Sequence, residues 1–406
     1  MRPYLDRLGA HRPWVSSVAL SVVLLTFVAL VGCERDRVPF NRLEEANKFL
    51  AADESFQAAK YYEESIDLEP TTRLAALARL ALAYDRSAKK VEGIPSEHAK
   101  YMAGRAQYVS AVRNEPLAIE YLVDALENHD QSSKSAEEIL VELGGIAAPA
   151  IIEGYRTKPT ERTLIRAMLR EIGSEAVPGI RAYLDGKSTS TQNRGQLVRL
   201  LGDMDNSESR ALLSDLQADA SEAEGIRVEA AAALYRLGDK QHRDYLVASL
   251  SNTDVLARRA AAYCMTYLND EPDPAMLLAH LDDADAVVCT HIAAALGVHR
   301  SDPSAVDSLV SVLRKTDTNA LGNAVAQSLG EYGADAIDPV LEALKYDAKS
   351  EHWTRRQRLV TVLANPDVKS HFDEDQEFAL YEQWQRETRD EVKGDLARLL
   401  ESLEGA

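Results

Sequence analysis

Through the middle of the chain, apolar and small residues recur every three or four positions, and short polar stretches rich in Asp, Asn, Thr and Gly interrupt them. That is the spacing of amphipathic helices joined by tight connections. The blocks repeat. Gly225-Ile-Arg-Val-Glu-Ala-Ala-Ala-Ala-Leu-Tyr-Arg-Leu-Gly238 aligns with Leu256-Ala-Arg-Arg-Ala-Ala-Ala-Tyr-Cys-Met-Thr-Tyr-Leu-Asn269, placing Arg227 on Arg258 and Leu237 on Leu268 at an offset of 31 residues. A further 31 brings Cys289, followed by Ala293, Ala295, Leu296 and Gly297, to the same place. Working outward, equivalent positions fall near 136, 165, 194, 227, 258, 289, 322 and 355. No segment alternates apolar and polar residues for long enough to predict a strand.

Each unit reads as two short helices, for example Asp239 to Leu250 and Asp254 to Leu268, with Asn252-Thr253-Asp254 between them. Asp or Thr at a helix start accepts from amides that have no partner within the helix. Pro149, Pro178, Pro274 and Pro339 stand near the starts of first helices, where a missing amide hydrogen costs least. Alanine runs such as Ala230 to Ala233 suit helices that approach closely. The pairs Leu143-Gly144, Ile172-Gly173, Leu201-Gly202 and Leu329-Gly330 read as helix ends closed by a left-handed glycine, with Asn269 serving where one unit lacks it. Two helices this short cannot bury an apolar face alone, so the pairs must stack, with Leu237 and Leu268 buried against adjoining units.

The interhelical Asp followed by Val-Arg, two alanines and Ala-Leu-Gly resembles HEAT repeats, in particular the short HEAT-like repeats also found in the phycobilin-lyase family. The resemblance covers roughly Pro116 to Asn365. It implies an all-α fold, a right-handed alpha-alpha superhelix whose second helices line the concave side. Domain 115–365 is therefore expected to be this solenoid. Upstream, Ala46, Phe49, Ala58, Ala59, Tyr62 and Pro70 stand at spacings similar to one tetratricopeptide unit, so 41–114 is expected to be a four-helix tetratricopeptide-like cap. Downstream, in 366–406, Asp373 with Gln376 forms a capping-box start. From there Phe378, Tyr381, Trp384, Val392, Leu396, Leu399 and Leu403 continue one helical stripe that predicts a long capping helix.

The chain begins with Arg2, Arg7 and Arg12, then an uncharged, mostly apolar run from Trp14 to Gly32, then charge from Glu34. This is the layout of an export signal. Leu30-Val31-Gly32-Cys33 resembles the bacterial lipobox. The resemblance implies cleavage of 1–32, acylation of Cys33, a short tether over 33–40, and membrane attachment through lipid. Left uncleaved, the same run is just long enough to span a bilayer. Glu34, in place of the Asp that resembles an inner-membrane retention signal, favours the outer membrane facing the periplasm.

Net charge is −19, and it becomes −21 without residues 1–32, a body repelled by nucleic acid and anionic lipid. Chemistry is sparse. Gly186-Lys187-Ser188 lacks the first glycine of a phosphate loop, where Arg181 stands. Asp203, Asp205, Ser207 and Ser209 alternate like a calcium loop, but Glu208 takes its glycine position and Ser214 its closing acid. His280, Cys289, His291 and His299 are not spaced to face one metal ion. Cys264 and Cys289 sit in apolar helical stretches and read as small hydrophobes, offset within their repeats. No catalytic constellation, metal or cofactor is expected.

What remains is surface, with candidate partner-binding residues Arg258, Arg259, Arg355, Arg356 and Arg358. The competing reading of the phased arginines Arg227 and Arg258 is that they bridge acidic neighbours in adjacent repeats. The sequence thus favours an adaptor that binds protein partners. A chromophore- or small-molecule-handling protein and a purely structural envelope lipoprotein stand as alternatives. Replacing Cys33 with Ser in the native host should abolish acyl-label incorporation and leave unprocessed precursor. A variant that still takes up label removes the lipobox reading.

Overall fold

The structure is a computed structural model that describes residues 42–66, 70–186, 190–268, 272–300, 302–347 and 352–404. The signal segment 1–32, the tether with Cys33, and the positions of Lys187, Ser188 and Asn269 lie outside the described residues. Among the described residues all regular structure is helical, an all-α superhelical repeat fold. The described residues form two compact units that divide between Ile139 and Leu140.

In the first unit, α1 (Arg42–Ala51) and α2 (Ser55–Ser65) are followed by the longer α3 (Pro70–Lys90) and α4 (Pro95–Arg113). Ala46, Ala58, Ala59 and Tyr62 are buried where α1 and α2 meet, as their small-residue spacing predicts, and the Phe49 ring stacks on Tyr61 at 5.2 Å. Asp85 lies buried in α3. Burial alone would raise its pKa, but hydrogen bonds from Lys89, Ser135 and Arg105 hold it below the usual carboxylate range. The unit does not stop at Asn114: α5 (Ile119–Ala125) packs against α3, and the boundary falls inside α6 (Gln131–Leu143).

The second unit continues the pairing. First helices are α7 (Ala148–Thr157), α9 (Val177–Asp185), α11 (Ser207–Ala218), α13 (Arg243–Ser249), α15 (Pro274–Ala279), α17 (Ala305–Lys315) and α19 (Ile337–Asp347). The second helices between and after them are α8 (Arg162–Ile172), α10 (Thr191–Met204), α12 (Glu224–Arg236), α14 (Val255–Met265), α16 (Ala286–His299), α18 (Asn319–Gly330) and α20 (Trp353–Leu363). Each second helix touches the next, and the apolar core runs without a gap from Val228 to Leu399. Starts follow the chemistry expected: Asp254 accepts from the Leu256 amide at 2.9 Å, and Asp285 from those of Val287 and Val288.

Glycine has two uses, not the single one read from the sequence. Gly173 and Gly238 carry φ of +67° and +103° and end their helices as expected. Gly202 and Gly297 lie inside α10 and α16. A methyl at Gly202 would stand 2.8 Å from Ala233 Cβ, and one at Gly297 would stand 2.8 Å from Ser328 Cα. These positions let successive second helices come within backbone reach. Leu237 is likewise only half-buried; its neighbours Leu234 and Tyr235 take the core positions, while Leu268 is buried as expected.

The long C-terminal helix is in fact two. After α21 (Pro366–Lys369), α22 (Glu374–Arg386) and α23 (Asp390–Glu404) are separated at Glu387. Glu387 has an extended backbone (φ −70°, ψ 130°), and its carboxylate turns inward, accepting from the amides of Thr388 and Arg389. The unbroken stripe in the sequence reflects two helices packed on the same core, which buries Leu380 in α22 and Val392, Leu396 and Leu399 in α23.

Gly297→Ala should force α16 and α18 apart and cost about 1–3 kcal/mol, the usual effect of overpacking. Hydrogen exchange should show amides of α16 and α18 losing protection first, with α1 to α4 unchanged. Uniform loss across the chain would mean that the repeats do not behave as nearest-neighbour units.

Candidate functional site

The second helices present one continuous face, and the repeat puts equivalent side chains on it in rows. One row is Asp203, Arg236, Tyr267 and Val298, near the C-terminal ends of α10, α12, α14 and α16. Tyr267 and Val298 are 43% and 58% exposed. Arg236 donates to Asp203 Oδ1 and to the Tyr263 hydroxyl, each at 3.3 Å, and its guanidinium lies 5.5 Å from the Tyr263 ring centre. Arg199 covers the same ring at 4.4 Å while binding Glu229 through two hydrogen bonds of 2.8 and 2.9 Å. The Tyr263 and Tyr267 hydroxyls are 3.0 Å apart, and this bond is the main reason the Tyr267 pKa is raised.

Beside this cluster is a cavity of about 220 Å³ lined by Gln192, Gln196, Arg199, Glu229, Arg259 and His291. The His291 ring meets Tyr263 edge-on at 5.3 Å. Burial, aided by Arg199 and Arg259, pulls its pKa down to about 4, so the imidazole is neutral near pH 7. A second hollow of about 540 Å³, between α15 and α17, contains Asp283 and Cys289. Both are engaged: Cys289 Sγ donates to Asp283 O, and the Asp283 carboxylate binds Arg258. Cys264 and Cys289 are free, buried thiols, and burial pushes Cys264 up to about 12, which makes it a poor nucleophile.

The residues singled out in the sequence occupy different places. Arg258 reaches into the next repeat to Asp283 at 2.8 and 3.1 Å, and Arg259 to Asp285 at 2.9 and 2.6 Å. Arg227 instead pairs within its own helix, with Glu224 at 2.9 Å. Arg355, Arg356 and Arg358 do not form a basic patch. Arg355 turns back to Asp317 and the Arg314 carbonyl, and Arg358 to the Thr316 carbonyl and Asn319. Arg356 points the other way, and its side chain, 3% exposed, pairs with the fully buried Glu387 at 2.9 and 3.1 Å. Three neighbouring cations thus serve different contacts: Arg355 and Arg358 bind the preceding pair, and Arg356 binds the C-terminal segment.

The alternating Asp203 to Ser209 segment is a helix junction. Asp205 takes the left-handed conformation that ends α10, and Asn206 with Ser209 forms the capping box of α11. Among the described residues no three His, Cys, Asp or Glu side chains gather closely enough to hold a metal ion, and no helix is long and apolar enough to cross a membrane. The tyrosine and arginine cluster was missed. Its signal was available: counting the repeat from the end of the second helix, at 203, 236, 267 and 298, brings it out.

Arg356→Ala should leave the buried Glu387 carboxyl without its guanidinium partner, at a cost of about 3–5 kcal/mol in urea unfolding. Replacing both residues, Arg356→Met with Glu387→Leu, should recover only part of this, because the Thr388 and Arg389 amides lose their acceptor. Loss below about 1 kcal/mol for Arg356→Ala would show that the pair does not hold α22 and α23 in place.

No curated protein matches the chain. Among solved structures, Kap121p bound to Pho4p is similar at 10% identity and TM-score 0.49, over 95% of this chain and 45% of that one. Kap121p bound to Nup53p is similar at 10% identity and TM-score 0.46, over 85% and 41%. Human deoxyhypusine hydroxylase in complex with glycerol is similar at 18% identity and TM-score 0.28, over 64% of this chain and 98% of that one. The chain spans less than half the length of Kap121p. At the level of sequence families, residues 274–364, which hold α15 to α20, match HEAT repeats.

Proposed function

We propose that the protein is a non-catalytic adaptor, tethered by lipid to the bacterial outer membrane, that holds a protein partner in the periplasm on its second-helix face. The observation that carries this is the exposed pair Tyr267 and Val298 beside the arginine-flanked Tyr263 ring. Aromatic and arginine side chains at the edge of an apolar spot are the usual centre of a protein interface. The reading is also supported by the match of 274–364 to HEAT repeats, whose stacked helices build extended binding surfaces. The tether rests on the export-signal layout and on Cys33.

A small-molecule function fits less well. The cavity beside His291, at about 220 Å³, is below the range of about 300–1,000 Å³ that ligand pockets occupy. The larger hollow has its Asp283 and Cys289 already bound to protein groups.

The test is capture of the mature protein from crosslinked membranes, comparing wild type with Tyr267→Glu plus Val298→Glu. A stoichiometric partner present with wild type and at least tenfold depleted with the double variant is the expected result. A wild-type protein with no stoichiometric partner favours the purely structural lipoprotein instead. Cofractionation with inner membrane would reverse the placement in the outer one.

A further inference from the structure

Charge is not spread evenly over this acidic chain. Within their bounds, α8, α10, α12 and α14 carry nine arginines against four carboxylates, Glu171, Asp203, Glu224 and Glu229, although the chain as a whole is at −19. Some of the excess is cancelled at the helix starts. Glu222 takes Arg194, Asp283 takes Arg258, and Asp285 takes Arg259. The excess that remains gathers around Asp203. Arg166, Arg170 and Arg236 all converge on Asp203, at 3.2, 3.9 and 3.3 Å, while the adjacent Arg199 binds both oxygens of Glu229. Three guanidiniums there share one carboxylate.

Arg170 and Arg236 stand in the last turns of their helices, where the helix dipole favours a cation. It does not explain why the surplus faces outward: the Arg166 and Arg170 side chains are 38% and 55% exposed. A positive site on a negative protein draws anionic groups and rejects cationic ones. Along the same face stand Tyr263 and Tyr267, then Val298. From α8 to α16 there are four helix-to-helix steps of roughly 8–10 Å, a distance that about ten to twelve extended residues cover.

We infer that this row is the docking track for an extended acidic segment of a partner protein, its carboxylates on Arg166, Arg170 and Arg236 and an apolar side chain against Tyr267 and Val298. The inference rests on the adaptor reading and specifies the partner's chemistry. Arginine presents its donors in a planar fork that matches a carboxylate, so incoming acids complete the pairs that Asp203 alone cannot.

The probe is a fluorescein-labelled twelve-residue peptide with glutamates through its first eight positions and Tyr-Leu near its end. It is titrated with the full processed protein in detergent and followed by anisotropy. Binding that weakens with salt, falls at least tenfold in R166E/R170E and is unchanged in R181E is expected. Arg181 is an exposed arginine of α9 paired with Asp215, and so controls for charge alone. Absence of binding, or equal loss in R181E, overturns the inference. So does flotation with phosphatidylglycerol vesicles that R166E/R170E abolishes, in a protein that does not bind the peptide. In the native host, benzoylphenylalanine in place of Val298 separates the two levels. A crosslink to an acidic segment supports the docking track. A crosslink to a neutral or basic segment overturns the track and leaves the adaptor reading standing. No crosslink, with no stoichiometric partner in membranes, overturns both.

Discussion

Everything in this protein depends on the contact between one second helix and the next. A helix of eleven to fourteen residues, paired with one of six to twelve, has too little apolar surface to offset the entropy of ordering its own chain. Only when the next pair arrives is its second side covered. The approach is close where side chains are small, as at Gly202 against Ala233 and at Gly297 against Ser328. There the packing is set by backbone shape, which leaves little freedom in how far apart, or at what angle, two repeats can settle. A surface built on such contacts is pre-organised, and a partner that uses it need not order it first.

The charged residues add direction to that packing. The apolar core would tolerate small slips between pairs, since alanine and leucine at neighbouring positions are chemically alike. Two-pronged contacts such as Arg199 to Glu229 and Arg258 to Asp283 do not slip, because a guanidinium and a carboxylate match in one geometry. Their net contribution to stability is modest where they are exposed. Their value is register, and it explains why arginine, not lysine, recurs at this phase.

The periodicity of glycine, alanine and aspartate made the helix pairs and their phase legible because each marks a local requirement: a stop, a close approach, a cap. Contacts between elements far apart in sequence were less legible. Arg355-Arg356-Gln357-Arg358 reads as one basic cluster because sequence adjacency hides direction; on a helix, successive residues point about 100° apart, so Arg356 meets Glu387 while its neighbours face backward. The break at Glu387 was invisible for a related reason: an acid in an amphipathic stripe looks like a solvent-facing residue until its buried partner is known. The row ending at Val298 is hidden because the arginines mark the starts of the second helices, whereas this row lies at their ends.

One regularity orders events in time. Arg194, Arg199, Arg258, Arg259 and Arg356 each find their carboxylate 25 to 31 residues later in the chain. A polypeptide emerges with its N-terminus first. Each of these five arginines is therefore made before its carboxylate, and Arg356 meets Glu387 only after 31 further residues have been added. At these points the nascent chain carries positive charge that the following segment cancels, so the emergence of Glu387 is what closes the contact that Arg356 opens.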